Sequence, residues 1–311
     1  MMPATRLQSH DPGPLLADRV ARLTGRRPIG WEPAPAGGFT HATRVIAHFA
    51  DGGTAFVKAA TDDLTTGWIR DEIAVYRHLR APFAPAVFAL DESDPPLIVL
   101  EDLRAGYWPP PWRPGDVEAV LATLAAVRST PPPPDLPSLA GWRESLASWR
   151  HVAEEPAPFL ALGLCSPRWL ERALPDLLAA DETAPLEGDE LLHLDVRGDN
   201  LCLGLPNRPA ILVDWNHSCR GNAELDPIGW LPSLYRQGGP PPDAIAPDAD
   251  GRLVAFLAGF WAWRAPQPPP SPDSTLRALQ ADVLRVTLPW AAARLGLAPP
   301  DGPATPPSTA T

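Results

Sequence analysis

The sequence predicts an α+β chain of two lobes, a small β-rich one followed by a larger, mainly helical one. Three observations carry this reading. Short β-prone segments crowd the first hundred of the 311 residues, with one long helical pattern among them. Helical periodicity dominates after Glu101-Asp102-Leu103. The 43 prolines gather in short runs between the helical patterns, where they read as loops rather than as a repeat.

The elements follow in order. Leu15 to Leu23 is a short helical candidate, closed by the breakers Gly25, Pro28 and Gly30. Trp31 to Phe39 and Thr43 to Phe49 read as strands around Gly37-Gly38, and Asp51-Gly52-Gly53 is a hairpin turn leading into the strand Thr54 to Ala59. Thr65 to Arg80 is a helix, because Ile69, Ile73 and Tyr76 recur at helical spacing and Trp68, Val75 and Leu79 widen the stripe. Val87 to Leu90 and Leu97 to Leu100 complete about five strands. A bridge rich in Pro and Trp (Gly106 to Gly115) then leads to helical segments near Asp116 to Ser129, Leu139 to Ala153 and Pro167 to Ala180. Pro131 to Pro134 and Glu155-Pro156-Ala157-Pro158 are expected to be loops between them. Strand character returns at Leu191 to Leu203 and Ala210 to Val213. Helices resume at Pro227 to Tyr235, Gly251 to Arg264 and Ser274 to Leu295. The expected organisation is an N-terminal lobe over 1–104, a helical lobe over 105–297 and a frayed tail over 298–311.

Composition narrows the function classes. The formal net charge is −11, which argues against binding a nucleic-acid backbone or an anionic membrane face. Three scattered cysteines make neither a disulfide framework nor a CxxC zinc site. The N-terminus lacks an apolar secretory core, and the longest apolar run, Leu253 to Trp263, is too short to span a bilayer. The expectation is a reduced, cytoplasmic protein. Of the 26 basic residues only Lys58 is lysine, and asparagine occurs only at positions 200, 207, 216 and 222. A lysine kept where every other basic residue is arginine points to a place that needs a compact ammonium.

Common nucleotide and hydrolase motifs fail. Lys58 is flanked by Val57 and Ala59, so there is no Walker A loop, and GxGxxG, GxSxG and HExxH are absent. What remains is His193-Leu194-Asp195-Val196-Arg197-Gly198-Asp199-Asn200, an HxDxxxxN string, with Asp214 ending the apolar run Ile211-Leu212-Val213. Phosphoryl transfer from a nucleoside triphosphate needs such a set. One carboxylate orients the attacking hydroxyl, while an amide oxygen and a second carboxylate hold Mg²⁺.

With the stretches GGFTHATR, AFVKAA, RDEIAVYRHL, LIVLEDL, HLDVRGDNLCL and ILVDWN, the chain resembles the aminoglycoside phosphotransferase-like small-molecule kinases from about Gly30 to Leu295. The resemblance implies a two-lobed protein-kinase-like fold with a five-stranded antiparallel sheet. It also implies transfer of the γ-phosphoryl of ATP or GTP, with Mg²⁺, to a hydroxyl of a small molecule. An aminoglycoside or other cationic antibiotic, an amino alcohol and a sugar all suit as acceptor. A non-catalytic nucleotide-binding regulator of the same fold would be expected to have lost the Lys, Asp or Asn, and none is lost. By the same resemblance Gly37-Gly38 covers the phosphates, Lys58 binds the α- and β-phosphates and Glu72 pairs with it. Glu101, Asp102 and Leu103 form the hinge that meets the base, Asp195 is the catalytic carboxylate, and Asn200 and Asp214 are Mg²⁺ ligands. The chain departs from the family at Leu194, where a Gly is usual. It departs from protein kinases at Trp215-Asn216, where they have Phe-Gly, and in lacking an APE triplet.

Several residues have two readings. Asp71 and Glu72 share the helix; Glu72 falls on the face of Trp68, Val75 and Leu79. His193 reads as a hydrogen-bonding residue under the loop, and Asp226-Pro227 as a helix N-cap followed by Pro at the first helical position. Arg197 and Asp199 read as loop surface or as phosphate contacts. The acidic stretch Asp176 to Glu190 reads as a solvated connection that could also draw in a cation. Tyr107, Trp108 and Trp112 read as packing or as a substrate wall.

Overall fold

The computed structural model describes residues 12–34, 41–269 and 274–302. The chain divides into two compact units, Met1–Trp108 with Asp199–His217, and Pro109–Gly198 with Ser218–Thr311. The first unit therefore takes in a segment that a single cut after residue 104 would leave out. The reason is local packing. Leu201–Cys202 and Ile211–Leu212 pair as an antiparallel hairpin. Cys202 and Ile211 share a buried cluster with Leu103, and the Leu212 N–H donates to Phe83 O at 2.8 Å.

The first unit is built on a five-stranded antiparallel sheet in the order β1-β2-β3-β5-β4. The strands are β1 (Pro28–Pro33), β2 (Thr43–Phe49), β3 (Thr54–Ala59), β4 (Val87–Asp91) and β5 (Leu97–Leu100). β1 starts three residues before its expected position: Pro28 and Gly30, read as breakers, lie inside it. Proline is tolerated at the first residue of an edge strand, and the register shift between Pro28 and Gly30 absorbs the irregularity. Gly52, at φ 82°, makes the left-handed turn that joins β2 to β3.

Alternation along the strands divides the sheet into two faces. Val45, Ala47, Ala55, Val57, Ala59, Leu97 and Val99 form one buried face, covered by Val20 of helix α1 (Pro14–Thr24). Arg44, Ile46, Phe56 and Lys58 are on the other. Helix α2 (Asp63–His78) begins two residues earlier than its apolar stripe suggests. Asp62 and Thr65 form a reciprocal capping box there, with the Thr65 N–H on Asp62 Oδ1 at 2.7 Å.

The second unit is mainly helical, with long helices at Asp116–Arg128, Pro167–Thr183, Leu225–Arg236, Gly251–Arg264 and Leu276–Arg294. Four expectations need correcting. Pro156–Leu160 is a short helix rather than a loop, because Pro156 sits in the first turn, where no intrahelical N–H is required. The helix expected over 139–153 breaks into Ala140–Trp142, Arg143–Leu146 and Trp149–Glu154. Asp181 drives that break by accepting the Trp149 N–H at 2.7 Å. Asp176 to Glu190 is not one solvated connection: its first part is helical and Asp181 is buried. The tail does not fray from residue 298 onward, since Ala298 O accepts the Trp169 indole N–H at 2.8 Å and Asp301 accepts from Ser166 at 2.5 and 2.6 Å. Among the described residues no helix is long and apolar enough to cross a membrane.

Candidate active site

Lys58 lies near the end of β3, on the face opposite the α1-covered core. It is only 6% exposed, and Glu72 of α2 is 1% exposed. Lys58 Nζ donates to Glu72 Oε2 at 2.8 Å and to Asp214 Oδ1 at 2.5 Å. Asp71, the alternative on α2, is exposed. One buried ammonium thus serves two carboxylates. Burial works against the Lys58 charge, but the fields of Glu72 and Asp214 outweigh it and hold its pKa above the ordinary lysine value. Burial raises the Glu72 pKa, with Lys58 opposing and Asp214 reinforcing the rise. Tyr76, one turn along α2, is pushed well up by burial and by the two carboxylates, so its phenol stays neutral.

Asp214 follows the strand Ile211–Leu212 and takes a left-handed backbone, φ 66°. Two contacts anchor its neighbours: the Val213 N–H donates to Asn200 O at 3.1 Å, and the buried Trp215 indole donates to Leu212 O at 2.9 Å. Asn200 and Asp214 consequently line one pocket together with Lys58, Glu72 and the segment Glu101 to Leu103. The side chains of that segment are held from outside. Glu101 binds Arg208 at 3.1 Å and accepts the Ala86 N–H at 3.0 Å. Asp102 is gripped by Arg104; burial raises its pKa, but the hydrogen bonds from Arg104 prevail and hold it low. Leu103 O accepts the Gly106 N–H at 3.0 Å, with the Cys202 thiol at 3.4 Å.

His193, Asp195 and Asp226 come together in the second unit. Asp226 accepts two consecutive backbone N–H groups, His193 on Oδ2 and Leu194 on Oδ1, both at 2.8 Å. This corrects the N-cap reading. Asp226 lies inside the first turn of Leu225–Arg236, whose cap position is Glu224, and its carboxylate fixes the loop before Asp195 instead of the helix end. Burial pushes the Asp226 pKa up to about 6 despite those two bonds. The Asp195 N–H donates to His193 Nδ1 at 3.2 Å, and Arg197 Nε stands 3.4 Å from Asp195 Oδ1. Leu194, where the resembling family usually has Gly, has φ 61°, in the left-handed region that glycine favours. Gly37 and Gly38 lie outside the described residues.

No protein-family model and no curated protein matches the chain. Solved structures do. An aminoglycoside phosphotransferase from Alicyclobacillus acidocaldarius is similar over 94% of this chain and 97% of its own, at 17% identity and a TM-score of 0.56. An ethanolamine kinase from Plasmodium vivax is similar over 85% and 84%, at 10% identity and a TM-score of 0.54. An ADP-bound aminoglycoside phosphotransferase is similar over 90% and 99%, at 12% identity and a TM-score of 0.54. The chain has the aminoglycoside-phosphotransferase-like, protein-kinase-like fold.

Within that fold several pocket residues carry no sequence motif. Phe56, two residues before Lys58, lines the pocket, and so do Arg44, Trp108 and Val213. The strand period marks Phe56, because residues two apart share a face. The aromatic bridge divides its work: Trp108 lines the pocket, Tyr107 pairs with Leu203, and Trp112 packs on Trp230 while donating to Gln237 at 2.9 Å.

The oxygen donors of the pocket suit one kind of metal. Among the described residues no cluster of three or more His, Cys, Asp or Glu side chains forms a closed metal site. Asn200 and Asp214 instead supply two hard oxygen donors side by side. That set fits Mg²⁺, which takes one or two protein oxygens and fills its shell with water and phosphate.

Proposed function

We propose that the protein is a nucleotide-dependent O-phosphotransferase that moves the γ-phosphoryl group of ATP or GTP to a hydroxyl of a small molecule. The observation that carries this reading is the buried Lys58, held by Glu72 and Asp214 in a pocket that also receives Asn200. A buried lysine bound to two carboxylates gives a weak return in stability for what its desolvation costs, which points to a role in binding. Phe56, Leu100, Leu103 and Trp108 give the pocket an apolar part that suits a purine, with the backbone of Glu101 to Leu103 at its edge.

The roles follow from chemistry. Lys58 is a compact cation for the α- and β-phosphates, oriented by Glu72. Asn200 and Asp214 would hold Mg²⁺, which when bound neutralises phosphate charge. Asp195, in the loop fixed by Asp226, orients the acceptor hydroxyl and takes its proton as the oxygen attacks. The names of structures sharing the fold support a nucleotide co-substrate and an acceptor bearing both amine and hydroxyl groups, since they include an ADP-bound aminoglycoside phosphotransferase and an ethanolamine kinase. The net charge of −11 favours a cationic acceptor.

The test is a screen of ADP and GDP release across hydroxylated amines, sugars and antibiotics, with Mg²⁺ present. Acceptor-dependent release that Asp195→Asn abolishes is the expected result. Tight nucleotide binding with no release for any acceptor would replace the enzyme by a nucleotide-binding regulator.

A further inference from the structure

The pocket face of the sheet carries a second cation. Arg44 of β2 lies directly opposite Lys58 of β3 in the antiparallel register, and Ile46 lies opposite Phe56. All four line the pocket, as does Leu100, the β5 partner of Phe56. The face is therefore graded along the strands. Ile46, Phe56 and Leu100 form an apolar end, and Arg44 with Lys58 forms a cationic end. Like charges directly opposite each other on a sheet are unfavourable unless something negative lies against both. Glu72 meets part of that need, since its carboxylate feels Arg44 as well as Lys58.

Donor capacity shows what is left over. An ammonium has three N–H groups, and Lys58 directs two of them to Glu72 and Asp214. One remains for a polyphosphate that presents several oxygens. A guanidinium has five donors in a planar fork matched to phosphate. Arg44 is half-buried, and its Nη1 reaches Ala42 O only at 3.4 Å, the long end of hydrogen bonding.

We propose that Arg44 is a second phosphate ligand of the nucleotide, supplying the donor fork that the doubly committed Lys58 lacks. The proposal rests on the phosphotransferase reading. Its signature is an affinity that climbs with phosphate count through Arg44 as well as through Lys58.

The experiment is a titration of wild type and Arg44→Gln with adenosine, ADP and ATP, and with the guanosine series, in Mg²⁺. Expected is a loss of about 10- to 100-fold in triphosphate affinity, with nucleoside affinity within about twofold. Wild type that binds triphosphate while Arg44→Gln binds it equally well overturns the role of Arg44 and leaves the phosphotransferase reading standing. An equal loss for nucleoside and triphosphate also overturns it, because it would mark a disturbed strand. Wild type that binds no nucleotide overturns the phosphotransferase reading itself. Should the melting temperature show Arg44→Gln unfolded, Arg44→Leu, which keeps an apolar stem on the strand, carries the same comparison with the same outcomes.

Discussion

Lys58 holds two carboxylates with one ammonium, so the three residues carry a net charge of −1 before any ligand arrives. Removing the lysine would leave Glu72 buried without its counter-ion, a change that typically costs about 3–5 kcal/mol. Activity loss in Lys58→Ala therefore mixes binding with folding, and substitutions at the two aspartates separate the roles better. Asp195→Asn is expected to keep Mg²⁺-nucleotide affinity within a few-fold while turnover falls by roughly 10²–10⁴. Asp214→Ala is expected to lower the Mg²⁺-dependent gain in nucleotide affinity by roughly tenfold or more, read by titration with and without chelator. Near-normal turnover in the first, or an unchanged Mg²⁺ response in the second, refutes that residue's assignment. Leu194 supplies a cleaner backbone test. At φ 61° it occupies a conformation that costs a non-glycine residue about 1 kcal/mol or more. Leu194→Gly is expected to keep the melting temperature within a few degrees, whereas the β-branched Leu194→Val lowers it further. The reverse order would mean that packing of Leu194, not its backbone, sets the cost.

At the scale of elements, Asp226 joins the start of the helix Leu225–Arg236 to the loop His193–Asp195 by two hydrogen bonds. Asp226→Ala leaves both N–H groups without their acceptor, each costing about 1–3 kcal/mol. Asp226→Asn keeps one acceptor oxygen and should lose about half as much. Turnover is expected to fall with the loop while nucleotide affinity holds, because Lys58, Glu72, Asn200 and Asp214 belong to the other unit. Nucleotide affinity falling in step with turnover would deny Asp226 this separate role. Its place was hidden in the sequence because its partners lie 32 and 33 residues away and Asp-Pro at a helix start looks like a cap. Elements fixed by local chemistry were legible: β2 and β3 have the expected limits because strand alternation and the Asp51-Gly52-Gly53 turn agree. Arg44 was half legible, since that same turn fixes the register that sets it opposite Lys58, yet no motif draws attention to it. The helix at Pro156–Leu160 was lost because two prolines were read as breakers when both fall in a first turn.

Over the whole molecule, two buried aspartates give stability an unusual pH slope. Burial raises Asp181 to about 7 and Asp226 to about 6, against about 3.9 for an aspartate in an unfolded chain. A raised folded pKa means that the native state binds the proton more tightly. Its contribution is fully present below about pH 4 and is lost as pH rises through about 6 and 7. The melting temperature is therefore expected to rise as pH falls from 8 to about 5, and Asp181→Asn should remove most of the rise above pH 6. An unchanged slope in that variant would show that Asp181 is already ionised in the fold. The same whole-chain view supplies the most direct test of the central claim, because the chain has a single lysine. A nucleoside triphosphate carrying an acyl group on its terminal phosphate should deliver that acyl group to Lys58 when bound, since proximity raises the effective concentration by orders of magnitude. The account expects labelling on the peptide containing Phe56-Val57-Lys58, suppressed by excess ATP or GTP with Mg²⁺, and the N-terminal amine serves as the internal control. Labelling of Lys58 that is indifferent to both competing nucleotides would contradict it.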